Sequence, residues 1–114
     1  MRVLACGGRD FTDASLVASS LSFLTPSDTL IEGGARGADF LAASYARSRQ
    51  IPVLTFPADW NRFGRSAGYK RNAQMLAEGK PDLVVAFPGG PGTASMISLA
   101  RTAGVPVRLI SPSP

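Results

Sequence analysis

The run Pro88-Gly89-Gly90-Pro91-Gly92-Thr93 sets three glycines and a hydroxyl where an apolar stretch gives way to helical spacing. A helix start carries free backbone N–H groups and a partial positive charge, and glycine lets an anion approach them without a Cβ in the way. Phosphate binding at Gly89, Gly90, Gly92 and Thr93 is the chemistry this offers; the alternative is that these glycines only supply tight turns. Gly33-Gly34-Ala35-Arg36-Gly37-Ala38-Asp39 repeats the theme. Asp39 there either accepts hydrogen bonds from ribose hydroxyls or steadies the start of the helix that follows. Arg71 and Met75 share a helical face one turn apart, so Arg71 could reach a phosphate or ribose from the side opposite Gly90, with Asn72 beside it. In the polar segment from Pro57 to Gly68, Trp60 and Phe63 either stack on a base or cover the end of a sheet. Asp59, next to Trp60, and Gly8-Arg9, after the first apolar run, complete the set of candidate ligand contacts.

What these residues exclude is as useful. No lysine follows the glycines where a Walker loop needs one, and no G-x-G-x-x-G fingerprint occurs, so a standard NAD-dependent dehydrogenase is not expected. The chain has 114 residues with no histidine and one cysteine, Cys6. That removes His-containing zinc sites, His-based triads and an internal disulfide. Nothing in the pattern calls for a cofactor or a metal. The net charge of +4 is local: Arg36 to Arg71 holds seven basic residues against two acids, and the rest of the chain is slightly acidic. Ten of the twelve cations are arginine, the side chain suited to bidentate phosphate or carboxylate contacts. Arg47 and Arg49 read as a solvated helix face. With no apolar run near ~20 residues there is no membrane span to expect, and the cytoplasm is the expected compartment.

The elements that must position these residues follow from hydrophobic spacing. Short, nearly all-apolar runs at Val3 to Ala5, Thr29 to Ile31, Val53 to Phe56, Leu83 to Phe87 and Val107 to Ile110 read as strands covered on both faces. Between them lie four helical segments. Thr12 or Asp13 caps the first, which carries Leu16, Val17, Leu21 and Leu24. The second spans Ala38 to Arg49, the third Ala67 to Ala77 with a stop at Gly79, and the fourth begins near Thr93 and ends at Gly104. The alternation predicts an α/β fold: one domain over 1–114, a Rossmann-like doubly wound parallel sheet of five strands in the order 3-2-1-4-5, flanked by four helices. A ligand crevice then lies at the carboxyl ends of the strands. Eight of the twelve glycines fall in three turns at that edge.

Four ordered motifs, Gly33 to Asp39, Pro57-Ala58-Asp59-Trp60, Ala67-Gly68 with Arg71-Asn72 and Met75, and Phe87 to Thr93, make the chain resemble the YspA/cpYpsA-related branch of the SLOG superfamily. The resemblance covers essentially the whole chain. Relatives include the LOG phosphoribohydrolases, once labelled lysine decarboxylases, the DprA single-strand DNA-binding proteins, and SLOG domains that sense NAD-derived nucleotides. It implies a Rossmann-like fold and a nucleotide-type ligand. LOG enzymes carry a catalytic glutamate shortly after their Pro-Gly-Gly-x-Gly-Thr motif, whereas Ser95 and Met96 stand here. The residue before Gly33-Gly34 is Glu32, where the branch often has histidine. Glu32 is either an acid offered from the neighbouring loop or the partner of an arginine such as Arg9 or Arg36.

Three functions compete on this reading. The leading one is binding or sensing of a phosphorylated nucleoside: a mononucleotide, ADP-ribose or an NAD-derived compound. The second is cleavage of an N-glycosidic bond, which needs a carboxylate near the ribose; Asp10, Glu32, Asp39 and Asp59 are the acids near the expected edge, and the catalytic residues stay unassigned. The third is DprA-like binding of single-stranded nucleic acid, with steep salt dependence and stacking on Trp60 or Phe63. Helix faces rich in alanine, serine and leucine could support a homodimer.

Overall fold

The computed structural model of the chain describes residues 1–112. Five parallel strands, β1 (Arg2–Cys6), β2 (Thr29–Glu32), β3 (Val53–Thr55), β4 (Leu83–Ala86) and β5 (Val107–Leu109), form one sheet in the order β3-β2-β1-β4-β5. The predicted order is the observed one. Four crossover helices connect the strands: α1 (Ala14–Ser20), α2 (Ala38–Ser48), α4 (Ala67–Gly79) and α5 (Pro91–Thr102). A fifth, α3 (Trp60–Phe63), is a single turn followed by a 3₁₀ turn at Gly64–Ser66.

Strand side chains alternate between two faces, and β1 shows how this divides the interior. Val3 and Ala5 join Val17 and Leu21 of the α1 segment and Ala42 and Ala46 of α2 in one buried cluster. Leu4 and Cys6 point the other way, into a cluster with Met75 of α4 and Met96 and Ala100 of α5. The chain therefore winds one way from β1 to β3 and the other way from β4 to β5. The switch lies between β1 and β4, whose residues pair from Val3 with Leu83 to Cys6 with Ala86. In a doubly wound sheet this is where the loops part and a crevice opens.

The cap of α1 is one of the two expected, and the differences from the sequence expectation that follow it each have a local cause. Asp13 is the cap of α1, its carboxylate accepting from the Leu16 amide at 3.0 Å. Gly79 does not end α4; it is packed against Ile31, to which an added Cβ would come within 3.2 Å, and Lys80 takes the left-handed closing position at φ 49°. Helix α5 starts at Pro91 rather than Thr93, because proline suits the first helical position. The polar connector from Pro57 contains α3, which forms because Asp59 caps it by accepting from the Arg62 amide at 3.1 Å.

Candidate functional site

Three loops meet at the carboxyl edge, after β1, β2 and β4, and they touch backbone to backbone. The Gly8 amide donates to Pro88 O at 2.9 Å, and Gly8 O accepts from Ala38 N at 3.1 Å and Phe11 N at 3.3 Å. Two glycines make this approach feasible. Gly37 holds φ 77°, and a Cβ there would strike the Gly8 and Arg9 carbonyls. A Cβ on Gly89 would strike the Thr93 side chain and come within 2.7 Å of the Gly8 amide. Gly8, Gly37 and Gly89 thus hold the loops together. Neither Gly8 nor Gly37 lines a cavity, and Gly89 lines only a recess of about 180 Å³ behind the α5 start.

The loop after β2 is closed by the chain's own carboxylates. Asp39 Oδ2 accepts from the Gly33 and Ala35 amides at 3.2 Å each. Glu32, only 2% exposed, accepts from the Gly34 amide at 2.7 Å and from the Thr55 hydroxyl. Glu32 pairs with neither Arg9 nor Arg36, as it turns inward beneath the loop; Arg36 instead meets Asp10 at 3.1 Å in an exposed ion pair. Asp39 Oδ1 makes no hydrogen bond among the described residues, and Asp39 lines a cavity. Burial pushes the Asp39 carboxyl up to about 6; the Ala35 amide and Arg71 oppose that rise, while Glu32 adds to it.

The loop after β4 is the open one. Gly90 provides no side-chain cap for α5, and the Gly92 and Thr93 amides have no acceptor among the described residues. Across from them, α4 brings Arg71 over the first loops. Its Nη1 donates to Gly33 O at 2.5 Å, its Nε donates to Asn72 Oδ1 at 3.1 Å, and Asn72 Nδ2 donates to Gly92 O at 3.1 Å. This chain of bonds ties the β2 loop to the start of α5 and leaves Arg71 Nη2 uncommitted. Burial lowers the Arg71 guanidinium from its ordinary value, with Asp39 opposing.

The loops enclose a cavity of about 410 Å³, within the ~300–1,000 Å³ of small-molecule sites. Arg9, Asp39, Trp60, Arg71, Asn72, Gly90, Gly92 and Thr93 line it. The Arg9 guanidinium lies 4.9 Å from the Trp60 ring centroid. Gly33, Gly34 and Arg36 line a second cavity, which shares Arg9, Trp60 and Arg71 with the first. Asp59 lines neither, being occupied as the cap of α3. Arg65 and Tyr69 line the first cavity without having stood out in the sequence; membership of the basic segment was the only signal for Arg65. Cys6 sits at the same wall with its thiol pushed up to about 12 by burial, so it is no nucleophile.

A family model described as "YspA, cpYpsA-related SLOG family" matches residues 1–63, which include the loops after β1 and β2 and Trp60. The chain belongs to that family. Gene 61 protein of Mycobacterium phage D29 is 37% identical over 117 residues, covering 93% of each chain, so likeness to that protein extends past the segment that the family model matches, to α4 and α5. The X-ray structure of TM1055, a structural-genomics target, superposes with a TM-score of 0.72 at 20% identity, over 93% of this chain and 71% of that one. That likeness is one of fold, and the fold is Rossmann-like. Among the described residues no helix is long and apolar enough to cross a membrane.

Proposed function

We propose that the first cavity binds a phosphorylated nucleoside: a mononucleotide, ADP-ribose or a related NAD-derived compound. The observation that carries this reading is the convergence of two unsatisfied donor sets on one cavity. They are the free Gly92 and Thr93 amides at the start of α5 and the uncommitted Nη2 of Arg71. A phosphate between them receives backbone N–H groups, a helix dipole and a guanidinium edge. Asp39 Oδ1 then accepts from a ribose hydroxyl, Asn72 sits beside the phosphate, and Trp60 offers its exposed ring to the base. The family supports a nucleotide-related role.

Calorimetric titration against a nucleotide panel tests it. One member should bind tighter than ~1 mM, and Arg71→Ala should weaken that binding about tenfold or more. Arg71→Lys keeps the charge but not the fork and should recover only part of the loss. Absence of any binding, or affinity indifferent to Arg71→Ala, sinks the reading.

One observation favours turnover as a second reading. Asp39, raised to about 6 by burial, stands on the wall where the ribose would lie, and a carboxyl poised in that range suits proton transfer to a departing base. Release of free base from AMP, lost in Asp39→Asn, would put cleavage first. Intact AMP after prolonged incubation with the protein removes it.

A further inference from the structure

The second cavity, about 430 Å³, carries two guanidiniums, those of Arg9 and Arg36, to which the nucleoside-phosphate reading of the first gives no role. Arg9, Arg36 and Arg71 line it, and no carboxylate does. The first cavity is mixed, with Asp10 and Asp39 set among its arginines. Of the acids near that wall, Glu32 is spent on the Gly34 amide and Thr55, Asp39 Oδ2 on the Gly33 and Ala35 amides, and Asp10 meets Arg36 in an exposed pair.

The three guanidiniums also have donors to give. No N–H of Arg9 has an acceptor among the described residues; its guanidinium stacks on Trp60. Arg71 keeps Nη2 free. Arg36 donates one bond to Asp10 in a pair whose side chains are 75% and 92% exposed, an arrangement that water competes with readily. Arg9 and Arg71 are like charges on a shared wall, and Arg9 disfavours the charge on Arg71. An anion lodged between them removes that repulsion and gains charge-assisted hydrogen bonds.

We infer that the second cavity is a second anion subsite, and that the ligand is a nucleoside phosphate bearing a second phosphoryl group, held by Arg9, Arg36 and the free edge of Arg71. The inference rests on the nucleoside-phosphate reading of the first cavity and narrows its ligand class. Arg71 lines both cavities, and the free Nη2 carries two N–H donors, one for each phosphoryl group.

The test compares AMP, ADP and adenosine 3′,5′-bisphosphate by calorimetry, on the unaltered protein and on Arg36→Ala. ADP places its second phosphoryl group in a pyrophosphate link and the bisphosphate places it across the ribose, so the two arms identify its source. One of them should bind about tenfold tighter than AMP, and in Arg36→Ala that ratio should fall towards one. Arg36 is an exposed surface residue, and equal melting temperatures of the two proteins establish that the change is not one of folding. Equal affinity for all three ligands overturns the second subsite and leaves the first standing. No binding of any of the three overturns the second subsite, and no binding of any member of the nucleotide panel overturns both. A single-stranded DNA octamer that binds tighter than all three, with affinity falling steeply in salt, overturns the small-ligand inference in favour of an extended strand.

Discussion

Asp39 is buried at 5% exposure, and its carboxyl is raised from 3.8 to about 6, chiefly because burial penalises the charge. The folded chain therefore holds this proton more tightly than the unfolded one. For a carboxyl with a raised folded value, the stabilising contribution is complete below the unfolded pKa and is lost as pH rises through the folded one. At ~1.4 kcal/mol for each pKa unit, the loss between pH 4 and pH 7.5 is on the order of 3 kcal/mol, a large part of the ~5–15 kcal/mol that holds a typical domain together. Asparagine has nearly the same shape, its Oδ1 can still accept from the Gly33 and Ala35 amides, and it cannot ionise. The stability of Asp39→Asn minus that of the parent should therefore move in favour of the variant by roughly 3 kcal/mol from pH 4 to pH 7.5. Urea unfolding of both proteins at each pH measures this, and taking the difference cancels the other titrating groups. The decisive quantity is the slope of that difference, because its offset contains whatever asparagine gains or loses in hydrogen bonding. A flat difference, or one that favours the parent as pH rises, would refute the account of Asp39 as a carboxyl held against its own charge.

Three other substitutions or treatments separate packing from binding. Gly37→Ala forces a Cβ onto the Gly8 and Arg9 carbonyls at φ 77° and should cost ~2 kcal/mol or more, read as a lower urea midpoint. Gly92→Ala meets nothing within 4 Å and should leave stability level or raise it by up to ~1 kcal/mol through helix propensity. Gly92 lines the first cavity, so an added methyl group takes ligand space and nucleotide affinity should fall while the melting temperature does not. Cys6, with its thiol near 12, should resist an aromatic disulfide reagent at pH 8 in the native state and react at the rate at which the protein unfolds; fast labelling of folded protein would contradict its burial.

The fold was legible because its strands are short apolar runs separated by glycine and proline, and a parallel sheet covered on both faces leaves that signature. The strand order 3-2-1-4-5 is one that right-handed crossovers in a doubly wound sheet permit, and their number and hand alone do not single it out. Helix α3 escaped because four residues, Trp60 to Phe63, are too few to show a hydrophobic period, although Asp59 was the cap that could have announced it. Gly79 misled for the opposite reason. A glycine near a helix end suggests a cap, but this one answers to Ile31 across the interior, a contact no local pattern contains. At the site, the residues gathered at the edge were readable from the turns that carry them. Which way their side chains face was not. Asp59 turns to its own helix, Glu32 turns beneath its own loop, and Tyr69 turns into the cavity from a helix whose periodicity marked only Arg71 and Met75.

That difference in facing separates two glycine loops that look alike as sequence. Both follow a strand and open a helix, and either could cradle a phosphate. In the loop after β2 the anion position is already filled, because Asp39 and Glu32 satisfy the three amides from Gly33 to Ala35. A phosphate bound by those amides would have to displace two carboxylates and meet their charge, whereas one held by the arginines of the second cavity, which the same loop lines, leaves the amides with their carboxylates. In the loop after β4 no acid stands within the turn, and the Gly92 and Thr93 amides stay open. The same accounting bears on catalysis. Of the acids near the edge, Glu32 is engaged by Gly34 and Thr55, Asp59 caps α3, and Asp10 sits in an exposed pair with Arg36. Asp39 alone combines a place on the first cavity with burial and a free oxygen. Any cleavage chemistry carried by a carboxylate here runs through a residue that also holds the β2 loop shut. Protonating it weakens its hold on two amides, so a catalytic cycle would shift the loop that anchors Arg71 at Gly33. A protein that only binds its ligand escapes that conflict, and this is the physical reason for placing binding ahead of turnover.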